Sequence, residues 1–360
     1  MMANSAVYII AEAGVNHNGD LHLAEQLIDV AAAAGADAVK FQTFNAEKLA
    51  AEQAQQAAYQ RQNMQQQVSQ RDMLKALELP LAWHQPLQQR AQRLGIDFLS
   101  TAFDSDSLQH LLALSITRIK VPSGELTNAP LLLAYARSGL PLMVSTGMAF
   151  LSEIEQALAT LAWGANHSGL PQSSEVIWQY WCQPEAQQWV RQQITLLHCT
   201  SQYPAPDEAI HLAAMDQLAQ AFGCAVGYSD HSAGIAVSVA AAARGARVIE
   251  KHFTVDRSLP GPDHQASIEA DQLTQMVAMI RQVSSAIGQP RKLPQACEWD
   301  TRALARQVLV CAQALSAGQT IDAAHLTTCR SRAGMSPHRL WDLLGRPAQR
   351  DYAVGELIDE

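Results

Sequence analysis

The feature that most constrains this chain is an alternation. Eight short apolar runs, each followed by a longer segment of helical period, recur through most of its 360 residues, at 7–12, 38–43, 96–101, 118–122, 142–146, 194–199, 225–229 and 248–253. Short runs separated by helices read as parallel strands whose two faces are covered by the crossovers. Eight strand-helix units within about 290 residues match an α/β fold of the (β/α)8 TIM-barrel type, which needs ~250 residues plus excursions. Among the helices, residues 23–34 follow the first strand and 273–287 the last; there Met276, Ile280, Val283 and Ile287 share a face, and Gly288 is placed to end it.

Two excursions interrupt the count. Residues 47–80 are long and polar, and half of the stretch 53–70 is glutamine, which favours a solvated loop or surface helix over a substrate-covering loop. Residues 164–190 carry Trp178, Trp181 and Trp189, aromatics better suited to covering the barrel wall or a subunit contact than to holding a cofactor. After Gly288 the run Gln289-Pro290-Arg291-Lys292-Leu293-Pro294 breaks the helix. The expected organisation is therefore a barrel over 1–287, a linker over 288–300 and a small module over 301–360. That module, with short strands and tight turns such as Ser316-Ala317-Gly318, is too small for a large core of its own and is expected to dock.

Composition narrows the function. Twenty-five Lys and Arg against 34 Asp and Glu give a net charge of −9, which argues against a strongly basic nucleic-acid or membrane-surface binder. Six cysteines without a C-x-x-C pair form neither a disulfide framework nor a structural zinc motif, and a reducing cytoplasmic compartment is expected. The first residues lack a secretory pattern, and no run of ~18 apolar residues occurs, so no membrane span is expected.

In a TIM barrel the C-terminal strand ends build the site. Here they carry Glu12, then Lys40 with Gln42, Thr101, Lys120 with Ser123, Ser145, Ser229 with His231, and His252. Two lysines with hydroxyl and backbone donors suit a small, multiply charged anion. A single lysine there equally reads as a snorkelling surface residue; several around one rim favour a site. His231 and His252 end adjacent strands, close enough to share one Mn²⁺, Co²⁺, Zn²⁺ or Fe²⁺ in an open site completed by water and substrate. The alternative is a pair of satisfied core histidines. Asp263, inside Pro260-Gly261-Pro262-Asp263-His264, either orients a sugar hydroxyl or water, or simply ends a turn.

These strand ends also carry a resemblance. Glu12-Ala13-Gly14-Val15-Asn16-His17-Asn18-Gly19, Lys40-Phe41-Gln42-Thr43, Pro122-Ser123-Gly124-Glu125, Ser145-Thr146-Gly147-Met148, Leu197-His198-Cys199-Thr200, Gly227-Tyr228-Ser229-Asp230-His231 and Glu250-Lys251-His252-Phe253-Thr254 resemble the sialic acid synthase family. Leu343-Leu344-Gly345-Arg346 and Gly355-Glu356-Leu357-Ile358 resemble its C-terminal antifreeze-like domain, a small module of the β-clip type. Nearly the whole chain is covered, with the motifs in the family's order.

The resemblance implies condensation of phosphoenolpyruvate with an open-chain N-acyl mannosamine-type sugar, by C–O cleavage, to a nonulosonic acid and phosphate. N-acetylneuraminate is the main product expected, with N,N'-diacetyllegionaminate from 2,4-diacetamido-2,4,6-trideoxymannose as the alternative. By position, Lys40, Thr101, Lys120, Ser123, Ser145 and Ser229 are expected to hold phosphoenolpyruvate, and Gln42, Asn63, Tyr203 and Asp263 to line the sugar side. Glu12 is the expected catalytic carboxylate, stabilising positive charge or taking a proton. The resemblance further implies Mn²⁺ or Mg²⁺ on His231 and His252, and a domain-swapped homodimer in which Arg330 reaches the sugar N-acyl group of the other barrel.

The sequence departs from the family in places. The usual Arg-Pro-Gly-x-Gly turn reads Arg330-Ser331-Arg332-Ala333-Gly334, so either arginine is available for that contact, Ala102 replaces a usual proline, and Ser201 stands where asparagine or threonine is common. Two other classes stay open on the residues: a Schiff-base aldolase or lyase using Lys120 or Lys251, and a non-catalytic sugar-binding protein. The stretch Tyr59-Gln60-Arg61-Gln62-Asn63 and the Gly227 to His231 motif look closer to the sialic and legionaminic branches than to the pseudaminic one.

Overall fold

The computed structural model describes residues 7–57, 60, 61, 63 and 69–359; Tyr59 and Gln62 of the branch motif lie outside them. The chain divides into two compact units, Met1–Gly288 and Gln289–Glu360.

The first unit contains eight strands: β1 (Tyr8–Gly14), β2 (Ala38–Thr43), β3 (Asp97–Ala102), β4 (Ile119–Val121), β5 (Leu142–Ser145), β6 (Ile194–His198), β7 (Ala225–Asp230) and β8 (Val248–His252). All pair in parallel in the order β3-β2-β1-β8-β7-β6-β5-β4, and the two end strands lie side by side. The result is the expected eight-stranded barrel, with the strand bounds within two residues of those read from the apolar runs.

Helices form where caps and turn residues allow. Asp20 accepts from the backbone N–H groups of His22 and Leu23 to start the helix Leu21–Ala33, satisfying donors that have no partner within the helix. The last barrel helix, Ala270–Ile287, ends at Gly288 with φ 57° and ψ −139°, a combination open to glycine and strained for other residues. Its buried face holds Met276 and Ile280 of the predicted stripe together with Leu273 and Val277, whereas Ile287 is exposed. Arg281 donates to the Val7 carbonyl, just before β1 begins, so the helical turns that follow lie beyond the sheet. Trp181 and Trp189 pack on the strand-helix core, and the Trp181 indole donates to Glu155 at 3.0 Å; the second excursion does cover the barrel wall.

The second unit holds an antiparallel pair, β9 (Gln307–Cys311) with β10 (Leu326–Arg330), and isolated bridges from Val310, Leu315 and Thr320 to Leu357, Tyr352 and Pro347. Its own core gathers Leu309, Cys311, Leu315, Ile321, Tyr352 and Ile358. The expected linker is partly ordered: a 3-10 turn, Ala296–Glu298, leads into the helix Trp299–Ala305. Among the described residues no helix is long and apolar enough to cross a membrane.

Candidate active site

The barrel interior is layered. Because side chains alternate along a strand, inward positions at the lower level are apolar: Ile10, Ala38, Leu99, Met143, Leu197 and Val248 form one packed cluster. Two residues further along each strand the inward positions become Glu12, Lys40, Thr101, Ser145, Cys199 and Glu250, and these line a cavity of about 380 Å³. The switch from apolar to polar in one step of two residues is what turns a core into a floor for chemistry.

Four titratable side chains share that floor. Lys40 Nζ lies 2.8 Å from Glu12 Oε2 and 3.6 Å from Glu250 Oε2, and donates to Thr101 Oγ1 at 3.0 Å. Lys120 Nζ donates to Glu250 Oε1 at 2.8 Å, and Ser229 Oγ donates to the same oxygen at 2.8 Å. Burial raises Glu12, against the pull of Lys40, to about 7. Burial acts on Glu250 in the same sense, but Lys120 and Lys40 outweigh it and hold that carboxyl far below the ordinary range. Burial also opposes the charge of Lys40, and Glu12 and Glu250 reverse the effect and raise its pKa. The floor therefore keeps the Lys40 ammonium charged beside a fully ionised Glu250.

Around it stand neutral donors. Gly147 N–H donates to Ser123 Oγ at 3.0 Å, and a Cβ at Gly147 would collide with Ser123, Cys199 and Ser201, so only glycine lets the backbone come this close. Ser145 Oγ is buried with no hydrogen-bond partner among the described residues.

His231 and His252 meet at the rim, their ring centroids 5.8 Å apart, with Tyr203 4.1 Å from the first and 5.6 Å from the second. Burial depresses the pKa of His231 to about 4 and that of His252 well below its usual value, the neighbouring His231 adding to the effect. Both rings are therefore neutral at pH 7, as metal ligation requires. His231 Nδ1 faces the Thr200 carbonyl at 2.7 Å, which makes Nδ1 the donor and leaves Nε2 basic. Among the described residues no cluster of three His, Cys, Asp or Glu is present; the donor set fits an ion that keeps open positions and does not fit a closed structural site.

Asp263 lines the same cavity, and burial pushes its carboxyl up to about 6. The loop carrying it is tied to the turn after β1. Asn18 donates to the Pro260 carbonyl at 2.8 Å, Asn16 to the Phe253 carbonyl at 2.8 Å and to Ser267 Oγ at 2.9 Å, and Ser267 in turn donates to the Asp263 carbonyl at 2.7 Å. The Asn16-His17-Asn18-Gly19 motif thus works as a brace behind the site.

Every predicted residue of the barrel reaches this cavity except Asn63, whose amide donates to the Pro262 carbonyl at 2.7 Å, next to Asp263. Arg330 lies at the end of β10 in the second unit. Two expectations are corrected. Residues 47–80 are not merely a solvated excursion: Ala57, Gln60, Met73, Leu74 and Leu77 line the cavity. Lys251 is excluded as a nucleophile, because it points away from the barrel interior, pairs with Asp230 at 3.1 Å and is fully buried. Glu250, which joins both lysines, was not singled out from the sequence; the alternation that places His252 inward places Glu250 inward too.

Fold and floor define a barrel whose strand-end cavity sets two buried lysines beneath a pair of neutral histidines. The chain belongs to the NeuB family, whose model matches residues 27–292, and it is an enzyme, a synthase of the nonulosonic acid type. It is 43% identical over 352 residues to an N,N'-diacetyllegionaminic acid synthase of Campylobacter jejuni, covering 98% of each chain. It is 41% identical over 351 residues to one of Legionella pneumophila, covering 98% of this chain and 93% of the other. A crystal structure of an N-acetylneuraminic acid synthetase of Leptospira borgpetersenii in complex with citrate matches with TM-score 0.67 and 34% identity, over 83% of this chain and 91% of that one.

Proposed function

We propose that the protein condenses phosphoenolpyruvate with 2,4-diacetamido-2,4,6-trideoxymannose and water to give N,N'-diacetyllegionaminate and phosphate. The observation that carries this reading is the pair of buried ammonium groups, Lys40 and Lys120, joined through Glu250 beneath two neutral histidines. The two synthases cited above at 43% and 41% identity favour the trideoxy sugar over N-acetylmannosamine, so legionaminate displaces N-acetylneuraminate as the leading product. The Leptospira structure keeps N-acetylneuraminate as the second reading.

In this reading Lys40, Lys120 and the hydroxyls of Thr101, Ser123, Ser145 and Ser229 hold the phosphate and carboxylate of phosphoenolpyruvate. Fixed cations and donors in a nearly dry floor stabilise charge without reorganising as the reaction proceeds. The C3 carbon of phosphoenolpyruvate attacks the sugar aldehyde, and water adds at C2. The C2–O bond to phosphate then breaks, the oxygen leaving with the phosphate. Glu12, beside Lys40, stabilises the positive charge that develops at C2. Gln42, Asn63, Tyr203 and Asp263 orient the sugar. His231 and His252 are the residues that would hold Mn²⁺ or Mg²⁺, which when bound supplies Lewis-acid polarisation of the aldehyde oxygen.

The second unit, in the same proposal, is an antifreeze-like domain of a cytoplasmic homodimer, and Arg330 of the partner subunit donates to the sugar N-acyl oxygen, Arg332 being the other arginine of that turn. Phosphate release with each sugar, with and without a chelator, tests the reading, and borohydride trapping tests the Schiff-base alternative through Lys120.

A further inference from the structure

The cavity is not polar throughout. Val15, Met73, Leu74, Leu77 and Phe103 line one wall and, with Phe44, belong to a single apolar cluster. Phe44 and Phe103 meet edge to face at 6.0 Å. The short helix that supplies three of the five, Gln70–Ala76 with Leu77 as its cap, is anchored: Ser69 accepts from Asp72 N–H at 3.1 Å, and Arg71 Nε donates to the Ala50 carbonyl at 3.1 Å. Val15 follows β1 and Phe103 follows β3, so the wall flanks the end of β2, where Gln42 sits. Phe103 stands two residues beyond Thr101, as Gln42 stands two beyond Lys40, so the wall lies above the charged floor, at the level of Gln42. The wall therefore faces the sugar half of the cavity.

Such a wall discriminates by chemistry. A terminal hydroxymethyl group pressed on it loses its water and gains no partner, whereas a methyl group gains burial. The two candidate sugars differ in this way at C6. We infer that Val15, Met73, Leu74, Leu77 and Phe103 form a specificity subsite for the C6 methyl of a 6-deoxy sugar, with Leu74 as the residue that meets it from the half-buried end of the helix. This rests on the condensation reading above.

The experiment compares kcat/KM for 2,4-diacetamido-2,4,6-trideoxymannose and N-acetylmannosamine, at saturating phosphoenolpyruvate and Mn²⁺, in wild type, Leu74→Gln and Leu74→Met. Leu74 is only half-buried, and thermal unfolding of each variant checks folding. The expected result is a loss of about 10-fold for the trideoxy sugar in Leu74→Gln, little change or a gain for N-acetylmannosamine, an unaltered KM for phosphoenolpyruvate, and near-recovery in Leu74→Met. Equal losses for both sugars, in an enzyme whose wild type uses the trideoxy sugar, overturn the subsite alone. A wild type that prefers N-acetylmannosamine overturns the subsite and the choice of product while leaving condensation intact. No phosphate release with either sugar overturns the condensation reading and the subsite with it.

Discussion

Lys251 Nζ lies 3.1 Å from Asp230 Oδ2, and neither side chain has exposed surface. Asp230 also accepts from Ser232 N–H, Ser232 Oγ and Ser238 Oγ at 2.8, 2.6 and 2.6 Å, and Lys251 donates to the Ser232 carbonyl at 2.6 Å. Each partner directly precedes one of the rim histidines, His231 and His252, so the pair locks the ends of β7 and β8 behind them. Removing one member leaves a buried charge uncompensated, at a cost of about 3–5 kcal/mol. Asp230→Asn and Lys251→Met should each lower stability by that order in urea titrations, and the double variant Asp230→Asn/Lys251→Met should lose less than their sum. Strictly additive losses would show that the pair does not act as a unit.

The floor makes a sharper demand. Lys120→Met leaves Glu250 with Lys40 at 3.6 Å as its remaining cation, and it removes a fixed charge from the proposed anion site. Phosphate release should fall about 100-fold or more, with the KM for phosphoenolpyruvate raised. An unchanged KM for phosphoenolpyruvate would take Lys120 out of that site.

Asp263 gives a pH signature. Burial raises its carboxyl from the ordinary value of 3.8 to about 6, so the folded state binds this proton more tightly than the unfolded state. The associated stability is present in full below about pH 4 and is lost as pH rises through 6. Asp263→Asn removes the buried charge: above pH 7 the variant should unfold at a higher temperature than wild type, by about 1–3 kcal/mol of stability, with the gap closing towards pH 4. Sugar turnover should fall at the same time. A gap that does not depend on pH would contradict this assignment.

The proposal that Arg330 serves a partner's barrel is testable by mixing. Arg330→Ala and His252→Ala subunits should each be poorly active alone. If Arg330 serves the partner's barrel, co-refolded mixtures regain activity, because one mixed site carries both wild-type groups. Mixtures no more active than the parents would place Arg330 in its own barrel's service or outside the site.

Much of this was legible in the sequence. Strand positions followed from short apolar runs between helices, and the floor followed from knowing that inward residues near strand ends form the site. What escaped had physical causes. The excursion 47–80 hides its apolar helix face, Met73, Leu74 and Leu77, in a glutamine-rich surround, so composition pointed outward where three side chains point in. Lys251 looked available until strand alternation turned it to the outer face. The role of Asn16 and Asn18 as braces depends on contacts to residues more than 200 positions away, which no local pattern contains.

The proposed function is condensation with a deoxy sugar on a metal-assisted floor. The most direct measurement is phosphate release from phosphoenolpyruvate with Mn²⁺ and, in parallel, 2,4-diacetamido-2,4,6-trideoxymannose or N-acetylmannosamine, each with a chelator control. Chelator-sensitive release that is faster with the trideoxy sugar is the predicted result, and release that needs neither sugar nor metal would contradict this function.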